Sequence, residues 1–455
     1  MDPVTLSLAK KYTDNALADS MVAKIYGVSW DKGELPALTR IKDSVGMTAA
    51  AGTDSAVEDN DFDNAQIYRE IGQVTDTLGN VFLRIPKFYI RKTDLTNYKS
   101  IEVSKYQYPG FYLPWCFWDF TNDKELSYFD FGKYKGSKAS TKLQSVPNVY
   151  PLINKNIVDV RTAAEANNAG GLLGYQQLDI HAVDVLRSLM FVEFATLDIQ
   201  SIMAGFTVGR YVATDVAVAD TTGTNTIIVA NTVGATYKVG QGIGVGSALG
   251  NNSIFYGRTI TQIQSDTPED GQTTITFDGA VATIPTNSIL YNVGWKNGFS
   301  AGIASSSGSL TSNSTGLYPC QWRGIESPYG DVWQFVDGIN INERQTWVCK
   351  NADDYISNVF ASPYEQLVYV NGATDGYAKA MGWDSNLPFA EFPVDVDPSL
   401  KYYKDYYYQA AGEKIARVGG GWNSGSFAGI SYWALVESSA NAHPVIGGRL
   451  VRKAL

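Results

Sequence analysis

The stretch Gly419–Glu437, GGGWNSGSFAGISYWALVE, carries the residues whose reading decides the fold. Three consecutive glycines permit positive φ or a close backbone approach, Trp422 supplies a large core anchor, and Asn-Ser-Gly-Ser at 423–426 reads as a turn. Gly419 to Trp422 form a structural half, and Asn423 to Glu437 a half able to present polar and aromatic groups.

Working outward, 455 residues exceed the usual size of one domain, so two or three units are expected. A hydrophobic share of 44% against 18% charged residues supports a buried core, and the aromatic share of 13% is high. The net charge of −10, with no basic run, argues against a sequence-independent nucleic-acid binder. The opening MDPVTLSLAKKYTD lacks the basic and long apolar regions of a secretion signal, and no apolar run is long enough for a membrane helix. Synthesis and assembly in a cytosol, without membrane insertion, are therefore expected. Cys116, Cys320 and Cys349 are too few and too far apart for a disulfide framework or a metal knuckle, and are expected as buried free thiols.

Residues 1–22 read as a short amphipathic helix, with Leu6, Ala9, Thr13 and Ala16 three or four apart. KFYIRK is a strand candidate, and the aromatic stretch 105–150 fits either core or exposed surface. The best helix lies in DIHAVDVLRSLMFVEFATLDIQSIMAGF, where Ile180, Val183, Leu186, Leu189, Met190, Phe194 and Leu197 recur near a 3.6 period. A shorter helix over VRTAAEANNAG would end at Gly170. Residues 213–292 change to Thr, Val, Ile and Gly in short segments between turns, which predicts a small all-β insert.

Catalytic signatures are scarce. His181 and His443 are the only histidines, and neither has a nucleophile setting. GQGIGVG misses the dinucleotide fingerprint, and GWNSG and GSFAG miss the nucleophile elbow. DNDFDNAQIYRE places Asp59, Asp61, Asp63 and Glu70 at calcium-loop positions, but Asn64 stands where glycine is expected and no flanking helices are visible, so a solvated acidic loop is the preferred reading. No cofactor and no metal are expected. The run KYYKDYYYQ, if a strand, divides its rings between two faces and suits either contact or packing.

YGDVWQFVDG (329–338), RVGGGWNSGSFAG (417–429) and VIGGRLV (445–451) together resemble the C-type-lectin-like fold, in the branch that joins formylglycine-generating-enzyme-like domains with variable receptor-binding proteins of bacteriophages. VTLSLAKKYTD resembles the N-terminal segment of phage tail and fibre proteins; FDNAQIYRE with GNVFLRIPKFY, and VLRSLMFVEFATLDIQS, resemble further parts of phage lectin-fold proteins. The implied class is α+β: a lectin-like region at 23–212 and 293–455, a β-rich insert at 213–292, and an attachment or oligomerisation helix at 1–22. The same resemblance makes Trp333, Gly420, Trp422 and Arg449 structural, with Arg449 expected to hold a buried carboxylate. It puts Asn423, Ser424, Ser426, Phe427, Tyr432, Trp433, Glu437 and Asn441 on an exposed ligand face.

The paired C-terminal cysteines of the formylglycine-generating enzymes and the Glu-Pro-Asn calcium motif of true C-type lectins are absent, so neither activity carries over. The resemblance implies a non-enzymatic phage tail or head fibre, or spike, at the virion surface and assembled in the host cytoplasm. It would bind other virion proteins through its N-terminus and a bacterial surface glycan or protein through its C-terminal face, as a homotrimer. A structural head fibre or decoration protein without receptor binding is the alternative, and an enzyme acting on surface polysaccharide a third.

Overall fold

A computed structural model describes residues 23–33, 37–139, 141–311, 315–399 and 402–455. The helix expected over 1–22 lies outside the described residues. Helix α1, Ile157–Glu165, starts at the Asn156 cap and stops before the expected Gly170. Asn167 lies past its end, where the side-chain amide donates to Leu143 O and Ala164 O and ends the helical pattern.

Helix α2, Ile180–Phe194, forms where the 3.6 period predicts it. Asp179 starts it by accepting from Ala182 N at 2.8 Å, and Ala195 ends it in the left-handed region at φ 50°. All its residues are buried, polar ones included, so it has no solvent face. Burial is tolerated because its charged side chains have partners. Asp184 meets Lys92 Nζ at 2.5 Å, Arg187 donates to Ser431 Oγ at 3.1 Å, and Glu193 accepts from Arg323 and from Trp322 Nε1.

Helix α2 packs against strands of two sheets. One is four-stranded and antiparallel, ordered Thr39–Lys42, Ile25–Asp31, Tyr98–Ser104, Tyr89–Asp94. The other is nine-stranded; its middle runs Gln345–Val348, Trp333–Asn342, Lys414–Gly419, Gly429–Leu435, Tyr406–Gln409, Asp375–Met381. A five-stranded sheet places Leu450–Lys453 between Tyr175–Gln177 and Tyr128–Gly132. At 39% strand and 12% helix the chain is mostly β with few helices, compatible with an α+β or a β-rich class.

Between residues 217 and 295 a further five-stranded antiparallel sheet encloses its own apolar cluster, with Ile227, Val229, Ile243, Val245, Ile275 and Phe277 at its centre. The β-branched segments read from the sequence supply its strands.

Three motif segments converge on the 333–342 strand. Gln334 pairs with Val418 antiparallel, and Trp333 with Ile446 in parallel. Gly420, at φ 80°, would bring an added Cβ within 2.7 Å of Ala428 Cβ, so the turn requires glycine. Trp422 is 1% exposed. Arg449 is fully buried, but the expected carboxylate is not its partner. Its guanidinium donates to Gln334 Oε1 at 2.7 Å and to the carbonyls of Gly132, Lys133, Glu326 and Ser327. Planar five-donor geometry suits a knot of backbone acceptors from two segments with one side-chain amide oxygen.

Candidate functional site

Strand alternation decides which half of Gly419–Glu437 can meet a ligand. Within Gly429–Leu435, Tyr432 and Trp433 are neighbours and must point to opposite faces. Trp433 points inward, is 0% exposed and packs on Phe392 with ring centroids 4.8 Å apart. Its expected place on the ligand face is corrected. Tyr432 points outward but is only 7% exposed, because it lies edge-on to Trp333 at 4.5 Å and beside Tyr406 at 5.9 Å. It floors the outer face instead of projecting from it.

That outer face carries a continuous aromatic ribbon. Phe427 stacks on Tyr406 at 4.1 Å, Tyr377 stands edge-on to both at 5.1 and 5.7 Å, and Tyr432 and Trp333 continue the row. Cross-strand register puts Tyr377 opposite Tyr406, and Asp375 opposite Tyr408. Phe427 and Tyr408 are the exposed rings, at 39% and 44%. Tyr407 between Tyr406 and Tyr408 is buried, so the tyrosine run does divide between two faces.

Polar groups edge the ribbon. Tyr406 OH donates to exposed Asp375 at 2.6 Å, and Tyr377 OH bonds Ser426 Oγ at 3.0 Å. Arg417 lies over the Trp333 ring at 4.4 Å and reaches Glu437 at 3.0 Å, while Asn441 donates to the other Glu437 oxygen. Burial pushes the Tyr432 phenol up to about 12, and burial with the Asp375 contact raises Tyr406, so both stay neutral donors at neutral pH.

The loop holding the candidate residues is tied down. Ser424 Oγ accepts from Gly421 N at 2.9 Å, Gly425 N donates to Thr207 O at 2.8 Å, and Gln200 Nε2 reaches Ala428 O. Asn423, Ser426 and Phe427 are left exposed on this fixed support; Ser424, Glu437 and Asn441 are half-buried. Tyr377, Tyr406, Tyr408, Asp375 and Arg417 belong to the same face and were missed as site residues. The alternation within KYYKDYYYQ held the signal for Tyr406 and Tyr408; Asp375, Tyr377 and Arg417 had none.

The acidic loop is used for structure. Asp61 accepts from Thr48, Asp63 pairs with Arg323 at 3.2 Å and Glu70 with Lys105 at 2.7 Å, while Asp59 is exposed. No group of His, Cys, Asp or Glu placed to hold a metal ion occurs among the described residues. His181 is buried against Cys349 O at 3.2 Å and Phe389, and burial lowers its pKa to about 3. The three cysteines are free and buried, with burial raising Cys320 to about 12 and Cys349 to about 11. Among the described residues no helix is long and apolar enough to cross a membrane.

No protein-family model matches the chain, and a search of curated proteins found no match.

Proposed function

We propose that this chain is a bacteriophage fibre or spike protein whose lectin-like region adheres, without catalysis, to a glycan or protein of the bacterial surface. The observation that carries this reading is the ribbon Phe427, Tyr406, Tyr377, Tyr432 and Trp333 on one sheet face, with exposed rings at one end and polar groups along its edge. Rigid aromatic area with adaptable polar neighbours suits a recognition surface. The lectin-like fold is favoured by the meeting of the 333, 419 and 446 segments on adjacent strands. Residues 1–22 attach the chain to other virion proteins, and trimeric copies at the particle surface raise weak single contacts through effective concentration.

Fluorescently labelled full chain, applied to bacteria and to purified cell-wall glycopolymer, tests the reading. Binding that falls at least tenfold in Phe427→Ala with Tyr408→Ala, at unchanged melting temperature, supports it. A structural virion component is the second reading, favoured by the edge strand Glu365–Val370, whose Val368 and Val370 are 74% and 56% exposed. Failure to bind cells or polymer, in a chain that still coats particles, selects that reading.

A further inference from the structure

A second site lies away from the aromatic ribbon, at the end of the five-stranded sheet. A cleft of about 400 Å³ opens between the 118–121 segment, the end of α1, the 351–353 turn and the strand Leu450–Lys453, and it shares no residue with the ribbon. Its volume falls in the range of about 300–1,000 Å³ usual for small-molecule sites. Half-buried Trp118 and Phe120 give it aromatic walls.

Lys453 forms part of the lining and is 6% exposed. Its ammonium makes one long hydrogen bond, to Trp118 O at 3.3 Å, and lies 5.2 Å from the Phe120 ring. An ammonium has three donors, and among the described residues no carboxylate stands within ion-pair distance of this one. A buried cation in the wall of a cleft, with donors left unfilled by protein, is a ready ligand contact. Glu165, the last residue of α1, and Asp353 also line the cleft, and both are exposed. Glu165, Asp353 and the negative end of α1 outweigh Lys453, while Asp119 is paired with Lys124 at 3.8 Å, which disfavours a phosphate or uronate ligand.

We infer that this cleft binds a neutral saccharide unit, with a sugar ring against Trp118 and Phe120, hydroxyls donating to Glu165 and Asp353, and a ring or hydroxyl oxygen accepting from Lys453. Hydroxyl groups both give and accept hydrogen bonds, so they satisfy an ammonium and carboxylates together. The inference stands without the adhesion reading, because it uses none of the residues of the ribbon.

The test is a glycan array probed with the full chain, carrying neutral hexose and N-acetylhexosamine oligomers beside uronate- and phosphate-bearing ones. Binding confined to neutral oligomers is expected, and Lys453→Met and the exposed pair Glu165→Gln with Asp353→Asn should each weaken it at least tenfold at unchanged melting temperature. The Lys453 effect and the Glu165 with Asp353 effect should persist in the Phe427→Ala with Tyr408→Ala background, which separates this site from the adhesion face. No binding to any neutral oligomer overturns the inference, as does a preference for acidic oligomers. Binding that survives the Glu165 and Asp353 substitutions overturns it too, whether or not Lys453→Met folds.

Discussion

The two faces of the nine-stranded sheet are built from the same strands and hold opposite kinds of surface. The inner face sets Trp433, Tyr407, Val418 and Ala416 against the core around α2, all at most 4% exposed. The outer face sets Tyr432, Tyr406, Tyr408 and Arg417 on the same strands, with exposure rising toward Tyr408. Period-two alternation thus gives folding to one side of each strand and leaves the other free for contact. The core around α2 also buries charges, carried by the helix, the four-stranded sheet and the segment before Pro393. Lys92 bridges Asp184 and Glu391, and Lys99 joins Glu391 to Asp94.

Substitutions along this division should give graded losses. Trp433→Ala empties an inner site and should lower stability by about 3–5 kcal/mol, read as a shifted urea midpoint. Equal loss in Tyr406→Ala would break the comparison. Glu391→Gln should cost about 3 kcal/mol at pH 7, because it leaves Lys92 and Lys99 buried without their shared carboxylate.

This second effect carries a pH signature. Burial alone would raise the pKa of Glu391, but the ammonium groups of Lys92 and Lys99 hold it well below the usual carboxylate range. A depressed folded value means that its stabilisation is complete above the unfolded value of about 4.3 and is lost as pH falls through the folded value. The stability gap between the wild type and Glu391→Gln, measured by denaturant titration, should therefore narrow from pH 7 to pH 3.

On the outer face Tyr406→Ala should cost about 1 kcal/mol, the scale of a lost aromatic pair, and should weaken cell binding more than it weakens the fold. Asn423→Ala is the smallest change, within about 0.5 kcal/mol in thermal melts, because the side chain is exposed. A larger loss there would show that the loop supports the fold as well as displaying groups.

What the sequence made legible was local. Helix α2, the β-branched strands of 217–295 and the free cysteines follow from periodicity, composition and spacing. The facing of Tyr432 and Trp433 was open to the same alternation argument once Gly429–Leu435 was taken as a strand, and treating the pair as one surface overlooked it. The remainder depends on distant partners. Lys92 and Glu391 are 299 positions apart, and Arg323 reaches Glu193 across 130. Arg449 finds carbonyls because turns near Gly132 and Ser327 arrive beside it, and no pattern within the chain marks a backbone oxygen as a future acceptor.

The strand Leu450–Lys453 has a consequence for the order of events during synthesis. It pairs Val451 with Phe131 on one side and with Gln176 on the other, and Arg449 beside it clasps Gly132 from 317 positions away. Until residue 453 has left the ribosome, the strands made much earlier keep two unpaired edges, and the Glu326 and Ser327 carbonyls lack their guanidinium. The sheet thus depends on residues made late: a chain that stops short of Leu450–Lys453 exposes pairing edges that a longer one has covered.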